Sequence, residues 1–252
     1  MASRSIARTD PIAGLRGAAR ILGLAGALLV YVPVHLLTRL IGRASPWPRR
    51  FLGQVARISG VDVQVIGVPL DRDVLFVANH SSWLDIPIIA GATGTAFVAN
   101  SGVKAWPLVG WLASLNNTIY VDRGDRAGVH GQVGAVRDAL ARHQPVAIFP
   151  EGTTSDVLLP FKPSLLEVVS PPPRAIRLQP LRLDYGDAPE LVWIGDEPAP
   201  RNIWRVLTRR RFTVRLECLA PFDPAAIGDR KAIAVEARSR ILAGSAWDGQ
   251  GV

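Results

Sequence analysis

The sequence predicts an α/β fold: a mixed, largely parallel central sheet flanked by helices, preceded by an N-terminal membrane-anchoring helical segment. Three observations predict it. Continuous runs of Val, Ile and Leu alternate with helical stretches from residue 61 onward, the pattern of a sheet covered on both faces. The 252 residues, 48% of them hydrophobic, suffice for one large α/β domain and a short appendage. The formal net charge of +8 is also segregated. Residues 1–57 hold nine arginines and a single acid, Asp10, and the rest of the chain is neutral. The chain divides accordingly into a basic, apolar leader over residues 1–58 and an α/β body over residues 59–252.

The leader centres on residues 21–34, I-L-G-L-A-G-A-L-L-V-Y-V-P-V, with no charge between Arg20 and Arg39. As a helix, that uncharged stretch spans roughly 27 Å, just short of the ~30 Å hydrocarbon core of a bilayer. Arginines on both flanks point to anionic headgroups at both ends and give no positive-inside vote. Pro33 and His35 disfavour a straight span, so a monotopic or re-entrant anchor is favoured over a single crossing. A cleaved signal peptide fits poorly, because T-R-L-I-G-R-A-S-P-W-P-R-R follows at once with no clear small-residue cleavage site. The lone Cys218 forms no intrachain disulfide, which suits a body on the cytoplasmic side of an inner membrane. A neutral body and an apolar run between the arginines exclude nucleic acid as the expected partner. No Cys/His spacing suggests a metal site.

After a Pro-marked hinge at residues 45–50, an amphipathic helix is predicted over 49–58. Strands are expected to begin at Val61, Asp73, Thr95, Asn117, Pro145, Ile176, Leu191 and Phe212. The clearest helix spans 125–143, with Val129, Val133, Val136 and Leu140 on one face. A last helix is predicted over 229–242. Ser170 to Arg174, S-P-P-P-R, reads as a loop.

Two strand tips carry the chemistry. Residues 79–85, N-H-S-S-W-L-D, leave an apolar strand and turn into a helix. Strand ends are where α/β folds keep their reactive groups. Asp85 can return across the turn to His80, fix one tautomer and leave the other ring nitrogen free to accept a proton. Of the four histidines only His80 has an aspartate at that offset. The second tip is F-P-E-G-T-T-S-D, residues 149–156. Pro150 stops the ladder, and Gly152 lets another group approach the backbone closely. Glu151 needs a partner or ligand at a buried strand end, and Thr153 and its neighbours offer hydroxyls. Two cations complete the set. Arg123 ends a strand and is suited to clamp a phosphate bidentately, and Lys162 follows the Glu151 loop.

Taken together, these blocks resemble the glycerolipid and lysophospholipid acyltransferases, the 1-acyl-sn-glycerol-3-phosphate acyltransferases and their relatives. The pattern N-H-x-S-x-x-D is Asn79 to Asp85. The Gly…Arg block is residues 106–123, the F-P-E-G block is residues 149–155, and L-Q-P-L lies around Pro180. The resemblance implies a glycerol-3-phosphate acyltransferase-like fold and a transferase of lipid metabolism. It implies His80 as general base, oriented by Asp85, deprotonating an acceptor hydroxyl that attacks an acyl thioester. The implied substrate-binding residues are Asn79, Ser82, Arg123, Glu151, Gly152, Thr153, Lys162 and Pro180, with Arg123 on an acceptor phosphate. No cofactor is implied beyond acyl-CoA or acyl carrier protein as co-substrate. The expected acceptor is lysophosphatidic acid, giving phosphatidic acid in phospholipid biosynthesis. Lyso-ornithine lipid or another lysolipid is the alternative, and a non-catalytic lipid-binding protein on the same scaffold is the second alternative. Three departures bear on the acceptor. Asn100 stands where relatives often carry Lys, with Lys104 nearby. Asn116 and Asn117 occupy a position where Gly is common, and the loop from Thr154 to Pro160 is short.

Overall fold

Helix α1, Ala13–Leu40, extends the apolar run in both directions and continues through Pro33. By length and composition it is able to cross a membrane. Its arginines do not all face outward as the sequence suggested. Arg16 donates to the Thr208 carbonyl at 2.6 Å, and Arg20 donates to the Leu207 and Arg209 carbonyls at 3.0 and 2.8 Å. These carbonyls end helix α6 (Ala199–Thr208), so the cations that were expected on headgroups satisfy a helix C-terminus instead. Helix α2, Trp47–Ile58, starts with Pro48 in its first turn. It packs on α1 through Tyr31, whose ring meets Trp47 and Phe51 at 6.1 and 6.0 Å. His35, expected to weaken a span, is buried and bonded to Ser45 at 2.7 Å.

The division at residue 58 falls between α2 and the first strand, yet α2 gives Leu52 and Ala56 to the core of the body. It also crosses helix α3, Asp85–Thr93, at a close approach. A Cβ built on Gly91 would lie 2.6 Å from the Gly53 Cα, so only glycine fits there. Arg49 then donates to the Gly91 and Ala92 carbonyls at the end of α3.

The described residues are 10–121, 129–186, 188–195 and 197–244 of a computed structural model. Seven strands form one sheet: β1 Val61–Ile66, β2 Val74–Ala78, β3 Ala96–Asn100, β4 Ile119–Val121, β5 Val146–Ile148, β6 Arg177–Asp184 and β7 Phe212–Cys218. Their order is β1-β7-β6-β2-β5-β3-β4. Every pairing is parallel except β6 with β7. The expected mixed, largely parallel sheet is therefore present. All five residues of β2 are buried, because each face is covered. Phe76 joins Leu84, Ile88, Leu181 and Leu216 under α2 and α3. Leu75 and Val77 join Leu140, Leu166 and Ile233 under α5 (Val129–Ala141) and α8 (Arg230–Ala243). Asp229 caps α8 by accepting from the Lys231 and Ala232 amides. Two short helices complete the fold, α4 (Pro107–Leu115) and α7 (Pro224–Ile227).

One expected strand is absent. L-V-W-I-G, from Leu191, forms the end of a 3₁₀ turn (Pro189–Leu191) and an irregular loop. Its backbone polar groups have other partners than a ladder: the Trp193 amide donates to the Ser81 carbonyl, and the Trp193 carbonyl accepts from Thr154. The first residues of the 125–143 helix lie outside the described residues, as does the 122–123 end of the fourth strand.

The topology fixes where the site can be. From β2 the chain crosses to β3 through α3 on one face of the sheet. From β5 it crosses to β6 through a 3₁₀ segment (Pro163–Val169) on the other. The connections that follow the adjacent strands β2 and β5 thus pass to opposite faces of the sheet, which opens a crevice at the strands' carboxyl ends. Val77 is opposite Ile148, so the loops carrying His80 and Glu151 leave the sheet side by side.

Candidate active site

Asp85 is fully buried at the start of α3. Its Oδ2 accepts from the Ser81 amide at 2.7 Å, the Ser82 amide at 2.9 Å and His80 Nδ1 at 2.7 Å. Its Oδ1 accepts from the Tyr185 hydroxyl, which the sequence reading did not single out. A carboxylate surrounded by donors is an acceptor at every contact, so Nδ1 of His80 carries the hydrogen. Nε2 is then the bare, basic nitrogen, and no described residue bonds to it. The imidazole is 19% exposed. Phe149 stacks on it at 4.0 Å between centroids and rests in turn on Phe97. The ring is therefore held by one hydrogen bond to a buried carboxylate and one aromatic face.

Glu151 organises the loop rather than standing alone. It is 2% exposed. One oxygen accepts from the His80 amide at 2.7 Å, and the other accepts from the Leu159 amide at 2.8 Å. Burial raises its carboxyl above the usual carboxylate range, opposed by these two amide hydrogen bonds. The Ser155 amide donates to the His80 carbonyl at 2.9 Å. Gly152 makes the turn at φ +76°, a left-handed conformation natural to glycine. The Glu151 loop and the His80 loop are thus sewn together through backbone groups.

Asn79 extends the sheet beyond β2. Its side-chain amide donates to the Leu183 carbonyl at 3.0 Å, and its oxygen accepts from the Leu183 amide at 2.8 Å. That clasp fixes the end of β6 next to the dyad, which brings Tyr185 onto Asp85. Burial, and then the Asp85 charge, push the Tyr185 phenol well above its ordinary value of 10.0, so it remains a donor at any working pH. Ser82 is fully buried, and its hydroxyl oxygen accepts from the Leu84 amide at 3.4 Å.

The structure therefore gathers His80, Asp85, Asn79, Ser82, Glu151 and Gly152. Thr153 is exposed on the same loop, and Lys162 is exposed with its amide bonded to the Pro150 carbonyl. Pro180 lies inside β6 opposite Val77, away from the strand tips. Arg123 lies outside the described residues. Lys104, the nearby alternative to a Lys at position 100, sits over the Tyr120 ring at 5.8 Å, while Asn100 caps the following 3₁₀ turn. Beside the dyad opens a cleft of roughly 440 Å³, lined in part by Asn79, Ser81, Glu151, Asp156, Asp184 and Tyr185. Arg182 is the described cation in its wall, and it already bonds to Glu217 and the Gly244 carbonyl. Tyr185 had one trace in the sequence, a polar aromatic at the end of the run L-R-L-D-Y. The aromatic support from Phe149 had none.

Comparison with known proteins accords with this geometry. The family described as Acyltransferase matches residues 62–182. A lyso-ornithine lipid O-acyltransferase of Rhodobacter capsulatus is 29% identical over 245 residues, covering 91% of this chain and 88% of the relative. A lyso-ornithine lipid O-acyltransferase of Pseudomonas aeruginosa is 30% identical over 233 residues, covering 87% and 86%. Among solved structures, the 1-acyl-sn-glycerophosphate (LPA) acyltransferase PlsC from Thermotoga maritima superposes with a TM-score of 0.69. It is 22% identical, and the match covers 91% of this chain and 93% of that one.

Proposed function

The chain belongs to the acyltransferase family of lysolipid O-acyltransferases, and on that premise we propose that it acylates a lysolipid hydroxyl at a membrane surface with His80 as general base. The observation that carries the reading is the His80–Asp85 pair, with Nδ1 bonded at 2.7 Å and no described residue bonded to Nε2 of the partly exposed ring. Nε2 takes the proton of the acceptor hydroxyl. The alkoxide oxygen bonds to the thioester carbonyl carbon, the C–S bond breaks, and the proton passes from Nε2 to the departing thiolate. Products are an ester and a free thiol, from acyl-CoA or acyl carrier protein as donor. Positioned proton transfer of this kind contributes about 10²–10⁴-fold to rate. Asp85 stabilises the imidazolium, and its own charge is spread over two amides and the Tyr185 hydroxyl.

The acceptor we propose is lyso-ornithine lipid. Relatives so named align over nearly the whole chain. The described wall of the cleft beside the dyad carries Asp156 and Asp184, the latter within 3.7 Å of Arg182, and the exposed Asp156 suits an acceptor with an ammonium group better than a phosphomonoester. Lysophosphatidic acid, the first expectation from the sequence, remains the second reading. It is favoured by Arg123 in the Gly…Arg block. Helix α1 serves as the anchor, and the body faces the cytoplasm, where acyl thioesters are found. The test is thiol release from acyl-CoA, and from acyl carrier protein, with each lysolipid as sole acceptor. Turnover with lyso-ornithine lipid and little with lysophosphatidic acid supports the first reading. The reverse preference, weakened by Arg123→Ala through acceptor KM, supports the second. Deleting residues 1–44 releases folded protein from membranes if the anchor assignment is right.

A further inference from the structure

Helix α4 is apolar all round and covered hardly anywhere. Of its nine residues only Gly110 is buried. Leu108, Val109 and Trp111 are 54%, 46% and 46% exposed, and Trp106 at its cap is 46% exposed. Residues 101–117 contain one charge, Lys104, and no acid. A helix without a polar face is normally enclosed by protein or lipid, and an exposed apolar patch of this kind marks an interaction surface. The helix is nevertheless firmly attached. A Cβ on Gly110 would lie 2.5 Å from the Lys104 carbonyl oxygen. The Gly110 carbonyl accepts from Tyr120 and Ser114, and Asn116 donates to the Thr95 carbonyl. The patch is thus presented on a fixed support beside β4, the edge strand.

Its side of the molecule follows from the topology. The crossovers β2 to β3 and β3 to β4 both run toward the β4 edge. Right-handed crossovers in the same direction put their helices on the same face, so α4 shares a face with α3. On that face α2 covers α3 and α1 covers α2. The outer surface of α1 is apolar too, with Leu22 and Leu29 73% and 77% exposed. Ile86, adjacent to Asp85 on α3, is 38% exposed. His80 is stacked on Phe149, which rests in turn on Phe97, and Phe97 lies on β3, the strand that precedes α4.

We propose that α4 with Trp106 is a second membrane contact, seated in the headgroup–acyl boundary of the same leaflet that holds α1. Two tryptophans suit that boundary. A lone Lys104 with no acid suits an anionic headgroup layer. Together the two contacts bring the bilayer surface to the mouth of the His80 crevice, so a lysolipid reaches Nε2 without leaving its leaflet. The inference rests on the reading of α1 as an anchor, and the experiment separates the two.

In a Cys218→Ser background, Val109→Cys and Leu29→Cys are each labelled with an environment-sensitive fluorophore. Full-length protein is then mixed with phosphatidylcholine–phosphatidylglycerol vesicles, with and without nitroxide-bearing acyl chains. The proposal predicts a blue shift and nitroxide quenching at both positions. A shift at 29 with a water-like spectrum at 109 overturns the proposal and leaves the anchor standing. No shift at either position overturns both. The double variant Trp106→Ser/Trp111→Ser is expected to lose severalfold turnover on vesicle-embedded lysolipid and to keep its turnover on a short-chain, monomeric lysolipid. Equal loss on both acceptors overturns the delivery role.

Discussion

Replacing Tyr185 with phenylalanine removes one hydroxyl from a buried carboxylate and leaves the ring in place. Asp85 keeps the two amides and His80 Nδ1 on Oδ2, but Oδ1 loses the donor that the structure gives it. A hydrogen bond to a charged group is worth about 1.5–3 kcal/mol. If Asp85 is misplaced or its charge redistributed by that amount as the imidazolium forms, kcat falls about 10- to 150-fold. The Tyr185 hydroxyl is spent on buried Asp85, and phenylalanine keeps the ring that contributes to the cleft wall, so KM for either substrate stays within about twofold. The assay is initial-rate thiol release by purified protein, with the melting temperature of the variant measured alongside. Because burial holds the phenol well above 10.0, Tyr185 stays protonated through the neutral range. The loss is then the same from pH 6 to pH 9. A kcat within twofold of the parent, in a folded variant, would show that the two amides alone hold Asp85. A loss confined to KM would place Tyr185 in substrate binding instead.

Other variants test the scaffold. Glu151→Gln leaves one acceptor oxygen for two amide donors, those of His80 and Leu159. One N–H then meets an NH₂, at a cost of about 1–3 kcal/mol, and turnover drops with the loop geometry. Burial raises the Glu151 carboxyl above 4.5, so the folded state retains a proton that the unfolded chain releases. Stability contributed there is greatest below the unfolded value and declines as pH rises through the folded one. Urea melts from pH 4 to 7 reveal this decline in the parent, and Glu151→Gln lacks it. At the α2–α3 crossing, Gly91→Ala forces its methyl against Gly53 at 2.6 Å, whereas Gly53→Ala meets Gly91 at 3.5 Å. The first destabilises by about 1–3 kcal/mol. The second is neutral or gains up to ~1 kcal/mol of helix propensity. Equal effects in denaturant melts would contradict the packing asymmetry. Cys218 is half-buried, and burial pushes its thiol up to about 11. It therefore reacts slowly with aromatic disulfide reagents at pH 8 in the native state and rapidly in guanidinium.

The His80–Asp85 pair was legible in the sequence because one short segment carries it. Seven residues from Asn79 to Asp85 encode strand end, turn, imidazole and carboxylate, and the backbone amides of Ser81 and Ser82 come with the turn. The buried strands were equally legible, since β2 and β5 have no polar residue to disguise them. Contacts between distant segments were not. Tyr185 reaches Asp85 from 100 positions away, through a register fixed by Asn79 on Leu183. Residues 191–195 read as a strand from their apolar side chains, but their backbone groups are taken by Ser81 and Thr154. Arg16 and Arg20 read as headgroup contacts, because composition cannot reveal the carbonyls at the end of α6 that they serve. The apolar side chains of Trp106, Leu108 and Trp111 suit a core as well as a surface, and sequence alone does not separate the two. Their exposure depends on α4 being the last helix before an edge strand.

The most direct test is thiol release from acyl-CoA by purified full-length protein in detergent, with lyso-ornithine lipid and lysophosphatidic acid as parallel acceptors, beside His80→Ala. The account predicts acceptor-dependent release that His80→Ala lowers by about 10²–10⁴-fold, with lyso-ornithine lipid the better acceptor. Release that persists undiminished in His80→Ala, or silence with every acceptor and with acyl carrier protein as donor, would contradict it.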